Sequence, residues 1–582
     1  MADYYVRTDG NDANDGLADD PARAWRTLQH AADTAATGST IHVRGGTYTA
    51  GLALSAMHNG KTLTFVGHDG TVTVFPTSGY ALNAEAAVDA TCVFSFANMT
   101  FLSGFVAIVR ITGAPKLSFT DCAIGNPETG AVYLFQGVTA AAGTPRTLAL
   151  TRCVLYSRGH AIYPGNYAAI TLDGCTIAFA NTRFGHALRL DGASVGTVTV
   201  RDCEITQGPP TVPLTGSVLY AVGATSIGRL TFVGNTVSCS GSAVVADGNV
   251  ASYLIDNNII TCDGTLHAIH LGTDDVNVAT YLIDNNTITC DGASHAIHLG
   301  TADVNVATYL IDNNTITCDS TSHALHLGTA DVNAAPNGTA GPMVISRNRI
   351  TVTGGNAHCM LIGKGNSGVE IWGNSLTGGN YGLVVKADHA HVHHNTMIGR
   401  SPLALKGAKR CTVHHCTAVG TAGQGALEWE VQPDLGSGAA NAEYNNVHDC
   451  IFVATGATTY AVYDVSGNHQ GNRLDRNIYW SSGGAGIAYL DGAERNTIEE
   501  IRATWDSWNE AVPLNGTTYG LAFSENDDNS SVTDPLLVNV AASDLRIKLN
   551  SPARGTQNAT TPDLSVWNTK GAWEVFSARP VR

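Results

Sequence analysis

A 28-residue segment occurs three times in succession between residues 251 and 334, and the copies that begin at residues 279 and 307 are identical at 24 of 28 positions. Repeats of this length that keep one register are typical of a solenoid, in which each repeat forms a coil that stacks on the next. Equivalent side chains then lie above one another. The stacked positions include three asparagines and three histidines: Asn258, Asn286, Asn314, His270, His298 and His326.

The same pattern continues far beyond the three copies. An apolar residue, two further residues, Asn or Cys, and a short β-branched run recur every 21 to 34 residues. The runs are short and bounded by Gly, Asn and Asp, which predicts strands and turns. We therefore predict an all-β parallel β-helix, with asparagine side chains that hydrogen-bond from coil to coil. The fifteen predicted ladder positions are Asn98, Cys122, Cys153, Cys175, Cys203, Asn235, Asn258, Asn286, Asn314, Asn348, Asn374, Asn395, Cys416, Cys450 and Asn477.

Composition narrows the class of protein. With 44% hydrophobic and only 14% charged residues, the chain can bury a large core, and its net charge of −17 argues against nucleic-acid binding. No apolar stretch is long enough for a membrane span, and no signal peptide precedes Asp3, so we expect no membrane partner. We also expect a monomer that is secreted or virion-associated. Of the 13 cysteines, ten fall at or near ladder positions, which predicts buried thiols rather than disulfides or metal ligands.

Both ends of the chain carry motifs of a known group. The start of the chain resembles the opening of right-handed parallel β-helix proteins of the pectate-lyase-like group; the resemblance lies in Tyr5–Asp12, Pro21, Trp25–Leu28 and Gly38–Tyr48. The end of the chain is similar to the closing segment of that group, at residues 533–536 and 544–553. The resemblance implies a right-handed β-helix over residues 51–500, an N-terminal cap over 1–50 with a short helix near 22–36, and a closing segment over 501–582. It also implies a carbohydrate partner, because the group includes polysaccharide lyases, glycoside hydrolases, epimerases, esterases, phage tailspikes and adhesins.

No cofactor is predicted. An acidic turn near the start of the chain can hold Ca²⁺, but such turns are more often Asx turns without a metal. Its residues are Asp9, Asn11, Asp12 and Asp15.

Successive side chains of a strand point alternately into and out of the coil. Aligning the coils on the ladder residues therefore tells which positions of each strand point outward. One outward column predicts that Lys386, Lys406 and Glu430 stack on successive strands. Residues 361–410 carry six cations and only two anions, and a basic segment on an acidic chain favours an anionic partner. The charged residues of this segment are Lys364, Lys386, Arg400, Lys406, Lys409, Arg410, Glu370 and Asp388.

Glu428 and Glu430 flank Trp429, so both carboxylates are predicted on one face of a strand, about 7 Å apart at Cα. We expect the basic and acidic residues to form one groove. Aromatic and histidine side chains near it can stack on a sugar ring or hydrogen-bond it. The predicted substrate-binding residues are Lys364, Trp372, His391, His393, His414, Trp429 and Tyr463.

Two enzymatic hypotheses fit these residues. In β-elimination on a uronate polysaccharide, Lys386 beside Lys406, with Arg400, would supply a base and a cation that neutralises the uronate carboxylate. In hydrolysis, Glu428 and Glu430, or either of them with Asp388 or Asp464, would act as the acid and the second carboxylate. We place elimination slightly ahead, because a neutral substrate leaves the basic segment unexplained.

Two further interpretations remain open. The lysines can be solvated charges that block strand edges, with Lys406 and Glu430 as a surface ion pair. Alternatively, the chain is a non-catalytic glycan-binding tailspike or adhesin, for which lengthening by coil duplication is harmless. The repeated histidines can bind a metal or a sugar, but a residue duplicated with its coil is more simply structural, and no metal site is predicted.

Overall fold

The computed structural model describes residues 2–126, 132–137, 146–163, 165–179, 185–190, 192–207, 216–222, 226–246, 249–264, 266–272, 280–292, 294–300, 308–319, 321–328, 342–364, 366–430, 441–464, 471–483, 485–510, 530–539 and 544–547. The chain forms two compact units, Met1–Leu282 with Asn286–Ile288 and Ile283–Asn285 with Thr289–Arg582. Neither helix of the described residues has the length and hydropathy that a membrane-spanning segment needs.

In each unit the chain winds as a parallel β-helix, which confirms the predicted fold class. A coil carries up to three short strands, and each strand pairs in parallel with the equivalent strand of the next coil. The first and second strands belong to one sheet and the third to another. The first strands are Val93–Ala97, Lys116–Thr120, Thr147–Thr151, Tyr167–Asp173, Ser194–Arg201, Ser226–Val233, Asn249–Val250, Ser252–Asp256, Thr280–Asp284, Thr308–Asp312, Met343–Ser346, Glu370–Trp372, His391–His393, Thr412–His414, Asn446–His448 and Arg473–Asp475.

The second strands are Met99–Phe101, Ala123–Ile124, Val154–Ser157, Thr176–Phe179, Glu204–Gln207, Thr236–Cys239, Ile259–Cys262, Thr287–Cys290, Thr315–Cys318, Arg349–Val352, Ser375–Gly378, Thr396–Gly399, Thr417–Gly420, Ile451–Ala454, Ile478–Ser481 and Ser531–Val532. The third strands are Leu52–Leu54, Leu82–Ala84, Ala107–Ile111, Tyr133–Gly137, His160–Tyr163, Leu188–Arg189, Leu219–Ala221, Val244–Ala246, Ile269–Leu271, Ile297–Leu299, Leu325–Leu327, His358–Ile362, Tyr381–Val385, Ser401–Lys406, Gly425–Glu430, Tyr460–Asp464 and Ala488–Leu490.

The bend between first and second strands explains the asparagine ladder. A single residue with positive φ, such as Asn257 at φ 54°, turns the chain, and the buried ladder residue follows it. In the first unit the Asn258 amide donates to Phe232 O at 2.8 Å and to Asn286 Oδ1 at 2.9 Å. The ladder therefore pairs polar groups that the coils bury.

The second unit has the same hydrogen-bonded ladder. Asn348 donates through both its backbone and side-chain nitrogens to Asn374 Oδ1, each at 2.9 Å. The predicted ladder is confirmed with one correction. Asn98 is exposed at φ 55° and occupies the bend, while the buried Met99 stands at the ladder position. Asparagine tolerates the left-handed conformation that the bend requires, so the same residue type suits both positions.

All 13 cysteines are free and buried, as predicted. Aliphatic and aromatic side chains fill the interior around them; in the first unit the rings of Phe96 and Phe119 stack at 5.1 Å. Burial raises the pKa of the Cys92 and Cys359 thiols to about 12. These cysteines therefore act as small apolar residues of the core.

The first part of the chain forms the strands Asp3–Val6, Ser39–Tyr48 and Thr62–Val74, the helix α1 over Leu28–Thr34 and a 3₁₀ turn over Ala56–His58. The helix is shorter than the predicted 22–36, because Thr27 caps it by accepting from His30 N and Trp25 forms a bridge with Val6.

The acidic side chains of the nearby turn are engaged within the protein. Asp9 pairs with Arg7, Asp15 with Arg23, and Asp12 accepts from the Thr27 backbone. These contacts make the turn an ion-paired Asx structure, and calcium binding there stays a hypothesis.

The last described part of the chain contains the strand Ala493–Arg495, the helix α2 over Ile498–Glu510, and an antiparallel pair formed by Leu537–Asn539 and Asp544–Ile547. Leu537 and Leu545 pack against Val419, Val453 and Ile478 on the outside of the second strands. The closing segment thus covers an apolar face of the second unit. The residues after 547 lie outside the described residues, and the predicted division at residues 50 and 500 stays a prediction.

Candidate functional site

The strand Gly425–Glu430 carries two carboxylates on its outer face. On the preceding third strand, Glu428 pairs with Ala404 and Glu430 with Lys406. Trp429, between the two glutamates, is on the opposite face of the strand and pairs with Leu405. Lys386 directly follows Val385, which also pairs with Leu405, so it occupies the position beside Lys406 one coil earlier. The predicted stacking of the two lysines with Glu430 matches this register.

Glu430 is held by a cation and a phenol. Lys406 Nζ lies 2.7 Å from Glu430 Oε2, and Tyr381 donates from its hydroxyl to Glu430 Oε1 at 2.7 Å. The same ammonium lies 4.1 Å from the centre of the Tyr381 ring. Burial by itself raises the pKa of Glu430, but the hydrogen bond and charge of Lys406 outweigh burial and lower that pKa. Glu430 is therefore the ionised carboxylate of the site.

Glu428 has a contrasting environment. It is fully buried, and its Oε1 accepts from Ser401 Oγ at 2.5 Å and from Gly425 N at 2.7 Å. Its Oε2 is buried and has no hydrogen-bond partner within the described residues. Burial raises the pKa of Glu428 to about 7, the neighbouring Glu430 carboxylate adds to the increase, and the bonds from Ser401 and Gly425 offset only part of it. Two carboxyl groups on one strand thus differ in protonation.

A group of tyrosines continues the same face. Glu428 pairs in register with Tyr463, which pairs with Tyr489, and the two rings stack at 5.5 Å with an interplanar angle of 17°. Tyr460 lies 6.1 Å from Tyr463 between ring centres. We call Tyr460, Tyr463 and Tyr489 the tyrosine face. All three are partly exposed, so their rings can contact a ligand.

Sequence reasoning missed Tyr381, Ser401, Tyr460 and Tyr489. A signal was present, because Tyr381 pairs with Ser401 and Gly425 with Tyr460 near the start of successive third strands. Aligning the coils on that position would have grouped Tyr381, Ser401 and Tyr460, whereas Tyr489 follows Tyr463 in the column of Glu428.

The remaining predicted residues lie elsewhere. Trp372, His391, His393 and His414 are on first strands, which belong to the other sheet, so they do not join the carboxylates in one groove. Lys364 follows the third strand His358–Ile362. Asp388 accepts a hydrogen bond from Lys409 N at 2.8 Å, and Arg400 precedes Ser401 as an exposed residue.

The repeated histidines also stack. In the second unit the rings of His295 and His323 lie 5.1 Å apart, and those of His323 and His358 lie 4.3 Å apart. Burial, and next the neighbouring His358, lower the pKa of His323 to about 3. His323 is therefore neutral at physiological pH and packs as a stacked ring.

These features define the chain as a parallel β-helix protein with a carboxylate, lysine and tyrosine cluster on its third strands. No protein-family model matches the sequence, and no curated protein matches it. A solved structure described as XylC in complex with xylose is similar over 85% of this chain and 86% of that chain, at 12% identity and a TM-score of 0.23. A match this distant carries no argument about activity.

Proposed function

We propose that this protein binds an extended glycan on the tyrosine face and hydrolyses it with the carboxyl pair Glu428 and Glu430. The observation that carries the proposal is the pair itself: the fully buried carboxyl group of Glu428, whose pKa burial raises, stands two residues from the Glu430 carboxylate, which reaches the surface and is paired with Lys406. Pairs of titratable groups with opposite shifts are typical of acid and base chemistry on glycosidic bonds.

The geometry suggests a division of roles. Glu430 has 26% of its side chain exposed, whereas Glu428 is fully buried, so the sugar would contact Glu430. Glu428 would pass its proton to the neighbouring Glu430 carboxylate, and Glu430 would deliver it to the oxygen of the leaving sugar. Once it has lost that proton, the pair would take one from the water that adds to the anomeric carbon. Ser401 and Gly425 would hold Glu428 in place throughout.

Hydrolysis fits this cluster better than elimination does. The ammonium of Lys406 is bound to Glu430 and lies over the Tyr381 ring, so elimination would leave the role of the base to Lys386. Lys406 therefore serves Glu430 as an ion-pair partner. Lys386, at the neighbouring position one coil earlier, would favour a glycan with a carboxylate near the cleaved bond.

The tyrosine face would supply affinity. Stacked phenol rings present flat apolar surfaces to the faces of sugar rings and leave their hydroxyls for hydrogen bonds. Because Tyr463 is in register with Glu428, a sugar stacked on it would place its neighbour beside the carboxyl pair.

The test is incubation with a panel of neutral and uronate polysaccharides, recording new reducing ends and the ultraviolet absorbance of unsaturated uronate ends. We expect reducing ends without absorbance, lost in Glu430→Gln and Glu428→Gln. Glu443→Gln is the matched control, because Glu443 forms a similar ion pair with Lys409 at 2.8 Å outside the cluster.

Other outcomes would replace the proposal. Reducing ends with absorbance that disappear in Lys386→Ala would establish elimination. Retention of a polysaccharide without cleavage would establish a glycan-binding spike or adhesin.

A further inference from the structure

A second cluster of polar side chains lies on the first strands of the second unit, on a different sheet from the carboxyl pair. Glu370 pairs in register with His391, and Trp372 with His393, which pairs with His414. The coils of this region are not copies of one another, so duplication does not account for the convergence of these side chains.

The ligand atoms of Glu370, His391 and His393 converge, and His414 contacts His391 beside them. His393 Nε2 lies 3.1 Å from Glu370 Oε1, and His391 Nε2 lies 2.8 Å from His414 Nε2. The rings of His393 and His414 are parallel, with centres 5.0 Å apart and an interplanar angle of 3°. One ligand atom from each of Glu370, His391 and His393 lies within 4.8 Å of the others.

We propose that Glu370, His391 and His393 form a binding site for a divalent transition metal next to His414, with Zn²⁺ as the expected ion. Imidazole nitrogens with one carboxylate oxygen are a common zinc ligand set. Tetrahedral zinc with bonds of about 2.0 Å places its ligand atoms roughly 3.3 Å apart. The observed 3.1 Å between His393 Nε2 and Glu370 Oε1 is close to this value, and a ligand atom of His391 lies within 4.8 Å of both residues.

The surroundings orient the rings as a metal site requires. His393 Nδ1 lies 2.9 Å from His394 Nδ1, and His414 Nδ1 lies 2.8 Å from His415 Nδ1. Metal-binding histidines usually hydrogen-bond through the ring nitrogen that does not face the metal, which fixes the tautomer and the ring angle. His394 and His415 stack in turn at 5.0 Å.

The site is also open to an ion. Glu370 has 43% of its side chain exposed and His391 is exposed, while only 15% of the His393 side chain is accessible. A metal ion can therefore enter from solvent past Glu370 and His391 and bind to the more buried His393.

The experiment is isothermal titration of the full chain with ZnCl₂, comparing wild type with Glu370→Gln and His393→Gln. We expect either variant to weaken or remove one binding event, by a factor of ten or more. His389→Asn is the control: His389 lies in the same region at φ 57°, which Asn also adopts, and contacts Ser367 outside the cluster. Binding that is the same in all four proteins, or no Zn²⁺ binding at all, would overturn the proposal.

A second measurement needs no variant and so does not depend on how the variants fold. Diethylpyrocarbonate modifies accessible histidines, and peptide mass spectrometry locates the modified residues. Zn²⁺ should protect the peptide that contains His391 and His393. Equal modification with and without Zn²⁺ would contradict the site.

Discussion

Replacing Glu428 with Gln tests the central feature of the candidate site, the buried carboxyl group that keeps its proton. The amide has the shape of the protonated acid: its oxygen can accept from Ser401 and Gly425, and its nitrogen takes the place of the protonated Oε2. The substitution therefore preserves packing and removes only the titration.

The magnitude follows from the pKa of Glu428, which burial raises from 4.5 to about 7. A raised pKa means that the folded state binds the proton more tightly than the unfolded state, so the associated stability is complete below pH 4.5 and is lost as the pH rises through 7. A shift of this size corresponds to about 3 kcal/mol. Between pH 5 and pH 8 the wild type should lose roughly 2 to 3 kcal/mol relative to Glu428→Gln.

Hydrogen exchange with mass spectrometry is the suitable assay, because repeat proteins can open locally without unfolding as a whole. The peptide that contains Gly425–Glu430 should exchange faster in wild type than in Glu428→Gln at pH 8, after correction for intrinsic rates, and at similar rates at pH 5. A difference between the two proteins that changes by less than about 0.5 kcal/mol across this range would refute the assignment of a buried, protonated Glu428.

Three further predictions follow from the packing and from the tyrosine face. Asn374→Ala should destabilise the second unit by roughly 3 kcal/mol, because the Asn374 amide donates to two backbone carbonyls and to Asn395; a drop below about 1 kcal/mol in urea unfolding would contradict a structural ladder. Tyr463→Ala should weaken glycan binding about tenfold by titration calorimetry, while Tyr156→Ala, on a second strand of the first unit, should leave binding unchanged. All 13 thiols should resist iodoacetamide until urea unfolds the chain, since they are buried and burial raises the pKa of groups such as Cys92; native labelling detected by mass spectrometry would contradict this burial.

The fold was predictable because the spacing of strand, turn and ladder residues in one coil recurs in many other coils of the sequence. The ladder prediction failed only at Asn98, where the bend and the ladder position favour the same residue type. In the coil of Asn257 and Asn258, both the bend position and the ladder position are asparagine. In the coil of Asn98 only the bend position is asparagine and the ladder position is Met99, so Asn98 was wrongly assigned to the ladder.

The candidate site was predictable in part. Glu428, Glu430 and Lys406 were grouped correctly because strand alternation and coil register depend only on local spacing. Tyr381 was missed because it lies 49 residues before Glu430 and reaches that residue across the intervening coil through its long side chain. The histidine column was assigned to the same groove because coil lengths vary, and spacing alone does not tell which sheet a strand joins.

The amino-acid sequence by itself determined the repeat, the alternation of inward and outward residues, and the ladder, because each depends on short-range spacing that recurs from coil to coil. Only the tertiary structure decided which outward residues share a sheet and how deeply each is buried. That depth separates Glu428 from Glu430, two residues apart on one strand: burial raises the pKa of one, and contact with Lys406 lowers the pKa of the other. Proton affinity depends on surroundings that converge from distant coils, and local spacing does not encode them.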